Sequence, residues 1–166
     1  RVIDKDAKSV VATTDSRVDQ YGNITAERII QAKGITYSVR DLIPSNEAEK
    51  FIGGKFITLY LSPGDYHRIH SAVTGKLTGF FNIPGKVYTV QEYMVNNLPD
   101  LFAVNERLIT YIKTAKGDVA VCKIGAINVG KISLSYDKAV TNKFFRKRKE
   151  FFYPDRDRKP VKKGDE

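Results

Sequence analysis

Both histidines of this 166-residue chain fall in one short segment, Ser62-Pro-Gly-Asp-Tyr-His-Arg-Ile-His70. Imidazole is the side chain best suited to moving protons near neutral pH. Pro63 and Gly64 predict a turn, and Asp65 is placed to cap a helical turn after it. In such a turn His67 and His70, at i and i+3, share one face. In an extended strand they would point to opposite faces. The turn residues favour the shared face. Two converging imidazoles supply either a pair of acid/base groups or two metal ligands. A metal needs at least three protein ligands. With no further His, the third would fall to Cys122, an Asp or a Glu, so no metal is assigned. The plainer reading is two half-buried histidines that hydrogen-bond backbone.

Three other places bear on chemistry. Val11-Ala-Thr-Thr-Asp15 puts a carboxylate just after a short apolar run. There it could orient an imidazole, as in a Ser-His-Asp arrangement, or close an Asx-turn. Asn105, Glu106 and Arg107 form a polar cluster leading into a strand, fit for a charged headgroup or for a buried ion pair. The run Lys143–Lys149, with Phe144, Phe145, Phe151 and Phe152 interleaved or following, reads as a solvated face, a nucleic-acid contact or a membrane interface. Cys122 lies in an apolar run and reads as a small core residue.

The elements that must position these groups are mostly strands. Phe56–Leu61 and Val119–Ile124 are rich in β-formers, and Leu108–Ile112 and Lys131–Ser135 alternate apolar and polar residues as half-buried strands do. Lys116-Gly117-Asp118 predicts a hairpin turn. Ser45 can cap a short helix over 46–51, and a second covers 90–97. From Lys138 onward, basic and aromatic residues mix with prolines, which predicts an exposed or subunit-contacting tail rather than a core strand. The reading is a single mostly-β (α+β) domain over residues 1–166, with a few short helices. An apolar content of 42% suits a packed core, and the net charge of +9 favours anionic partners without choosing among them. The single cysteine excludes an internal disulfide framework and suits a reduced compartment. The start, Arg1-Val-Ile-Asp-Lys, has neither an initiator Met nor a signal-peptide core, and no stretch reaches the roughly 20 apolar residues of a membrane span. Membrane contact by this chain is expected to be peripheral.

Taken in order, these segments resemble the phosphatidylserine decarboxylases. Asp15 comes first, then Gln31-Ala-Lys-Gly-Ile-Thr-Tyr-Ser38, Tyr60-Leu-Ser-Pro-Gly-Asp-Tyr-His-Arg-Ile-His70, Gly75 and Ile83-Pro-Gly-Lys-Val-Tyr88. Leu101-Phe-Ala-Val-Asn-Glu-Arg107 and Gly125-Ala-Ile-Asn-Val-Gly130 come next, and the tail Lys162-Lys-Gly-Asp-Glu166 is similar to the family's lead-in to its processing site. The Asp-Tyr-His-Arg-x-His and Leu-Phe-x-x-Asn-Glu-Arg motifs together carry the specificity. Thr13, Thr14 and Ser16 depart from the family's pattern around its aspartate, where Gly is usual in place of Ser16.

The resemblance implies a proenzyme that cuts itself before a serine, which becomes a pyruvoyl group at the start of a small alpha subunit. This chain is then the large, beta subunit, without that serine and without the family's membrane-binding N-terminal helices. It implies Asp15 and His70 as partners in activating the serine, and His67 in decarboxylation. Tyr37, Tyr66, Asn105, Glu106 and Arg107 are implied as substrate-binding residues. The implied reaction converts phosphatidylserine to phosphatidylethanolamine and CO2, the pyruvoyl carbonyl acting as electron sink. It takes place at a peripheral site on the cytoplasmic side of a membrane, in a dimer of heterodimers. The implied core resembles a barrel-sandwich hybrid. Two rivals stand beside this: a relative acting on a free amino acid, and a non-catalytic basic module that binds nucleic acid. The resemblance speaks against nucleic acid as a partner.

Overall fold

A computed structural model describes residues 2–26, 28–32, 34–142 and 147–166. In chain order the strands are β1 (Arg17–Asn23), β2 (Arg28–Ala32), β3 (Ile35–Ser38), β4 (Lys55–Tyr60), β5 (Gly75–Ile83), β6 (Arg107–Thr114), β7 (Gly117–Ile124), β8 (Lys149–Phe152) and β9 (Pro160–Val161). Short helices α1 (Val39–Leu42), α2 (Glu92–Asn97) and α3 (Leu101–Val104) and two 3-10 turns, Asn46–Phe51 and Asp155–Asp157, join them. This is the expected mostly-β α+β architecture. The largest sheet runs β7-β6-β5-β8, with β9 beside the start of β5, and all its pairings are antiparallel. Two-stranded ribbons β1–β4 and β2–β3 complete the sheets. Among the described residues the sheets stay open and no barrel closes.

Local signals account for much of this. Ser45 caps the 3-10 turn, its hydroxyl accepting from Glu47 N at 3.2 Å. Gly117, at φ 136°, opens β7 after the turn from β6, a conformation that glycine adopts without strain. Phe81, Ile83, Leu101 and Ile109 pack with Val39, Leu42 and Ile43 in the main core, while Leu77, Ile112 and Val161 form a smaller cluster. Cys122 packs against the main core, and burial pushes its thiol up to about 11.

Three expectations need correction. Lys131–Ser135 is not a strand, since only Ser133 makes an isolated bridge, to Val140. Residues 107–112 are buried throughout rather than on one face, because β6 lies inside its sheet with cover on both sides. The polar member Thr110 is accommodated by a 2.7 Å hydrogen bond with the Tyr136 hydroxyl. The tail is not a free loop, because β8 and β9 both pair with β5. Backbone pairing with β5 there outweighs the weak strand signal of a charged, proline-containing sequence. The first four residues of the Lys143–Lys149 run, Phe144 and Phe145 among them, lie outside the described residues. Phe151 packs on Phe80 and Tyr153, and Phe152 stacks on Tyr111.

Candidate active site

The histidine segment leaves the end of β4 and returns to the start of β5. Ser62 N donates to Asp65 Oδ2 at 2.6 Å, so Asp65 closes a turn instead of capping a helix. No helical turn succeeds it, and residues 66–70 run irregularly. The shared face expected of His67 and His70 therefore does not form on a helix. Tyr66, Arg68 and His70, at every second position, meet one another or the tail, whereas His67 lies exposed.

Two other stretches of chain converge on the His70 segment. Its backbone N donates to Thr13 O at 2.9 Å, and Val11 N donates to Ala72 O at 3.1 Å. The segment carrying Asp15 is thereby laid alongside. On the other side the tail forms a turn, in which Asp165 N donates to Lys162 O and Lys162 N to Asp165 Oδ2. That turn is fixed by Gly164 N to Ser71 O at 2.9 Å and Ser71 N to Asp165 O at 2.7 Å. Lys163 Nζ reaches back to the carbonyls of Asp6 and Ser9 and to the Ser9 hydroxyl.

These contacts set the protonation pattern of His70. Its Nδ1 lies 2.9 Å from Gly164 O. A carbonyl oxygen only accepts, so Nδ1 carries the hydrogen and neutral His70 keeps its lone pair on Nε2. That lone pair accepts from the Tyr66 hydroxyl at 3.2 Å, and the two rings stack at 5.8 Å. The Gly164 carbonyl thus orients the ring through Nδ1. Sequence reasoning misses Gly164 as a partner because it lies 94 positions from His70. Spacing by two from Tyr66 to His70 is a signal that could have grouped Tyr66 and Arg68 with His70.

Four other residues expected to touch substrate are buried. Arg107, 3% exposed, donates to four backbone carbonyls: Leu42, Ala103, Asn105 and Asp41. Burial holds its pKa down to about 10. The Asn105 side chain accepts from Tyr88 N and donates to the carbonyls of Tyr88 and Gly125. Glu106 Oε1 accepts from Asn142 N. The Tyr37 ring is in the main core, edge-on to Phe102, where burial raises its hydroxyl pKa. All four side chains are buried, and the hydrogen bonds of Asn105 and Arg107 go to α1, to the α3 end and to the chain after β5 and β7, not to the histidine segment.

The imidazole of His70 thus lies between the Tyr66 phenol at Nε2 and the tail turn at Nδ1. The phosphatidylserine decarboxylase family model matches residues 1–166. A phosphatidylserine decarboxylase proenzyme from Brevibacillus brevis is 47% identical over 137 residues, covering 81% of this chain and 49% of that protein. One from Myxococcus xanthus is 46% identical over 143 residues, covering 86% and 51%, and one from Francisella philomiragia is 40% identical over 146, covering 88% and 51%. The chain belongs to the phosphatidylserine decarboxylase family. It spans about half the length of the curated relatives it matches.

Proposed function

We propose that this chain is the large subunit of a pyruvoyl-dependent phosphatidylserine decarboxylase, and that His70 is the base for its self-cleavage. The observation that carries the reading is the His70 Nε2 lone pair beside a tail whose Gly164 carbonyl fixes the ring. A serine hydroxyl is a weak nucleophile and needs such a base. Nε2 takes the hydroxyl proton as the serine oxygen bonds the preceding carbonyl carbon. That carbon's bond to the serine nitrogen then breaks, and the proton passes to the nitrogen. Elimination of the resulting ester and addition of water then leave a pyruvoyl group and release ammonia. Tyr66 holds the lone pair until the serine displaces its hydroxyl. Asp15 supplies negative charge near the imidazolium formed in this step.

The residues present fit the group's origin, since the turn at 162–165 already lies against His70. Tyr66, His67 and His70 would flank the group. Held there, the group would supply an electron sink for the departure of CO2. Exposed His67 returns a proton to the substrate carbon at the protein surface, where a lipid headgroup can reach it. The relatives' names support a phosphatidylserine substrate over a free amino acid, and the +9 charge suits an anionic membrane face. The small subunit, a dimer of heterodimers and a peripheral location on the cytoplasmic side of a membrane belong to the same reading. Among the described residues no helix is long and apolar enough to cross a membrane.

In the full proenzyme, His70→Ala is expected to stay as one uncut band on a denaturing gel. His67→Ala is expected to cut but to form no phosphatidylethanolamine from phosphatidylserine vesicles. Normal cleavage of the His70 variant would remove His70 from this role.

A further inference from the structure

Arg68 stands between the two histidines and takes no part in the proton transfers of self-cleavage. Its Nη1 donates to both carboxylate oxygens of Glu166, at 2.9 and 2.7 Å. The contact raises the Arg68 pKa, first through the hydrogen bond and then through the charge of Glu166. Glu166 is held a second time, its carbonyl accepting from Ser135 Oγ at 2.7 Å. Two residues before it is the carbonyl that fixes the His70 ring, and Gly164 is at φ 87°, a backbone shape that favours glycine. The tail is thus gripped on both sides of the His70 contact: upstream by β9 on β5 and by Lys163 on Ser9, downstream by Arg68 and Ser135.

The upstream grip alone would leave the chain free to swing after Gly164. The downstream grip sets the direction in which it leaves. Arg68 and His70 project from one short segment, so a chain held by Arg68 departs beside the His70 ring.

We propose that Arg68 is a positioning residue for self-cleavage. By holding Glu166 it aims the residues beyond it at His70 Nε2 and keeps the Gly164 carbonyl on Nδ1. This rests on the reading of His70 as the cleavage base. The bonds made and broken are those of the serine attack and ester elimination, and Arg68 exchanges no proton in them. As an ion pair with side chains 66% and 44% exposed, the contact contributes little to global stability. Its effect belongs to the geometry of the reaction, where small misplacements cost large factors in rate.

The test uses the full proenzyme and follows appearance of the two cleaved bands over time, with melting temperature measured on the same samples. Arg68→Glu and Glu166→Arg are each expected to slow cleavage about 10-fold or more, with melting nearly unchanged. The double variant Arg68→Glu/Glu166→Arg restores the pair with its charges exchanged and is expected to recover most of the rate. Arg68→Lys, which keeps a cation on a side chain of different length and shape, is expected to fall between wild type and Arg68→Glu. Wild-type rates in the single variants, or slow cleavage in the double variant equal to that of the singles, would overturn the proposal. A fall in melting temperature that tracks the loss of rate would also overturn it, by reducing Arg68 to a structural role. His70→Ala run alongside separates the two ideas. Cleavage in that variant defeats the underlying reading, whereas a block there with normal rates in the Arg68 variants defeats only this one.

Discussion

Leu101-Phe-Ala-Val-Asn-Glu-Arg107 and Asp65-Tyr-His-Arg-Ile-His70 are both short motifs rich in polar groups, and the fold puts them in opposite settings. In the first, Asn105, Glu106 and Arg107 are nearly sealed from solvent, and Asn105 and Arg107 tie together backbone from three parts of the chain. In the second, residues 62–68 are exposed and the segment is fixed mainly at its His70 end. A buried cation whose bonds all go to carbonyls builds the frame. A half-buried imidazole held by one carbonyl and one phenol keeps a titratable nitrogen near the surface. Motif specificity alone does not separate the two jobs; burial and partner type do.

The sharpest way to break this contrast is Arg107→Met. It leaves four carbonyls without their donor and is expected to cost about 4 kcal/mol or more. Thermal unfolding followed by circular dichroism should show a fall of about 10 °C. A variant that melts like wild type would show that the Arg107 hydrogen bonds do not hold the frame.

Lys123 sharpens the contrast from another side. It lies partly buried on β7, donating to Thr110 Oγ1, and burial pulls its pKa from 10.5 down to about 8. Between about pH 8 and 10.5 the unfolded chain holds a proton there that the folded chain has released. The group's contribution to stability therefore rises with pH across that window. Below about 8 both states are charged and the full cost of burying the cation remains. Lys123→Met is expected to raise the melting temperature at pH 7 and to flatten the rise between pH 8 and 10.5. An unchanged pH profile would show that Lys123 is solvated. The smallest effect is expected at His67, where replacement by Ala should change stability by about 0.5 kcal/mol or less in denaturant titration. A larger loss would place His67 in the frame.

Legibility in the sequence tracks the range of the interactions. Strands β4, β6 and β7, the hairpin turn and the Ser45 cap depend on neighbours a few residues apart, and all are readable. β5 is not. Gly75 and Gly79 interrupt its pattern, yet an added Cβ at either would strike the carbonyl of Lys113 or Phe151. The glycines that hide the strand are what let its neighbours come close. β8 and β9 read as tail because their charges and proline obscure a pairing that only β5 supplies. At the site, the histidine pair stands out by residue type, but its geometry does not. His70 is oriented by Gly164 and Thr13, both far off in sequence, and the carbonyls around Arg107 come from its own neighbourhood and from a stretch 65 and 66 positions away.

Strand β9 is only Pro160–Val161, yet its pairing with Gly75 and Lys76 has a kinetic consequence. It tethers the rest of the tail, so that under the proposed role of His70 the chain beyond Val161 would be an internal reactant instead of a diffusing one. A short flexible tether alone gives an effective concentration of about a millimolar or more. A well-aligned one reaches values that no dissolved peptide can match. A synthetic peptide copying residues beyond Val161, added at micromolar levels, is therefore a poor competitor for its own covalently attached counterpart.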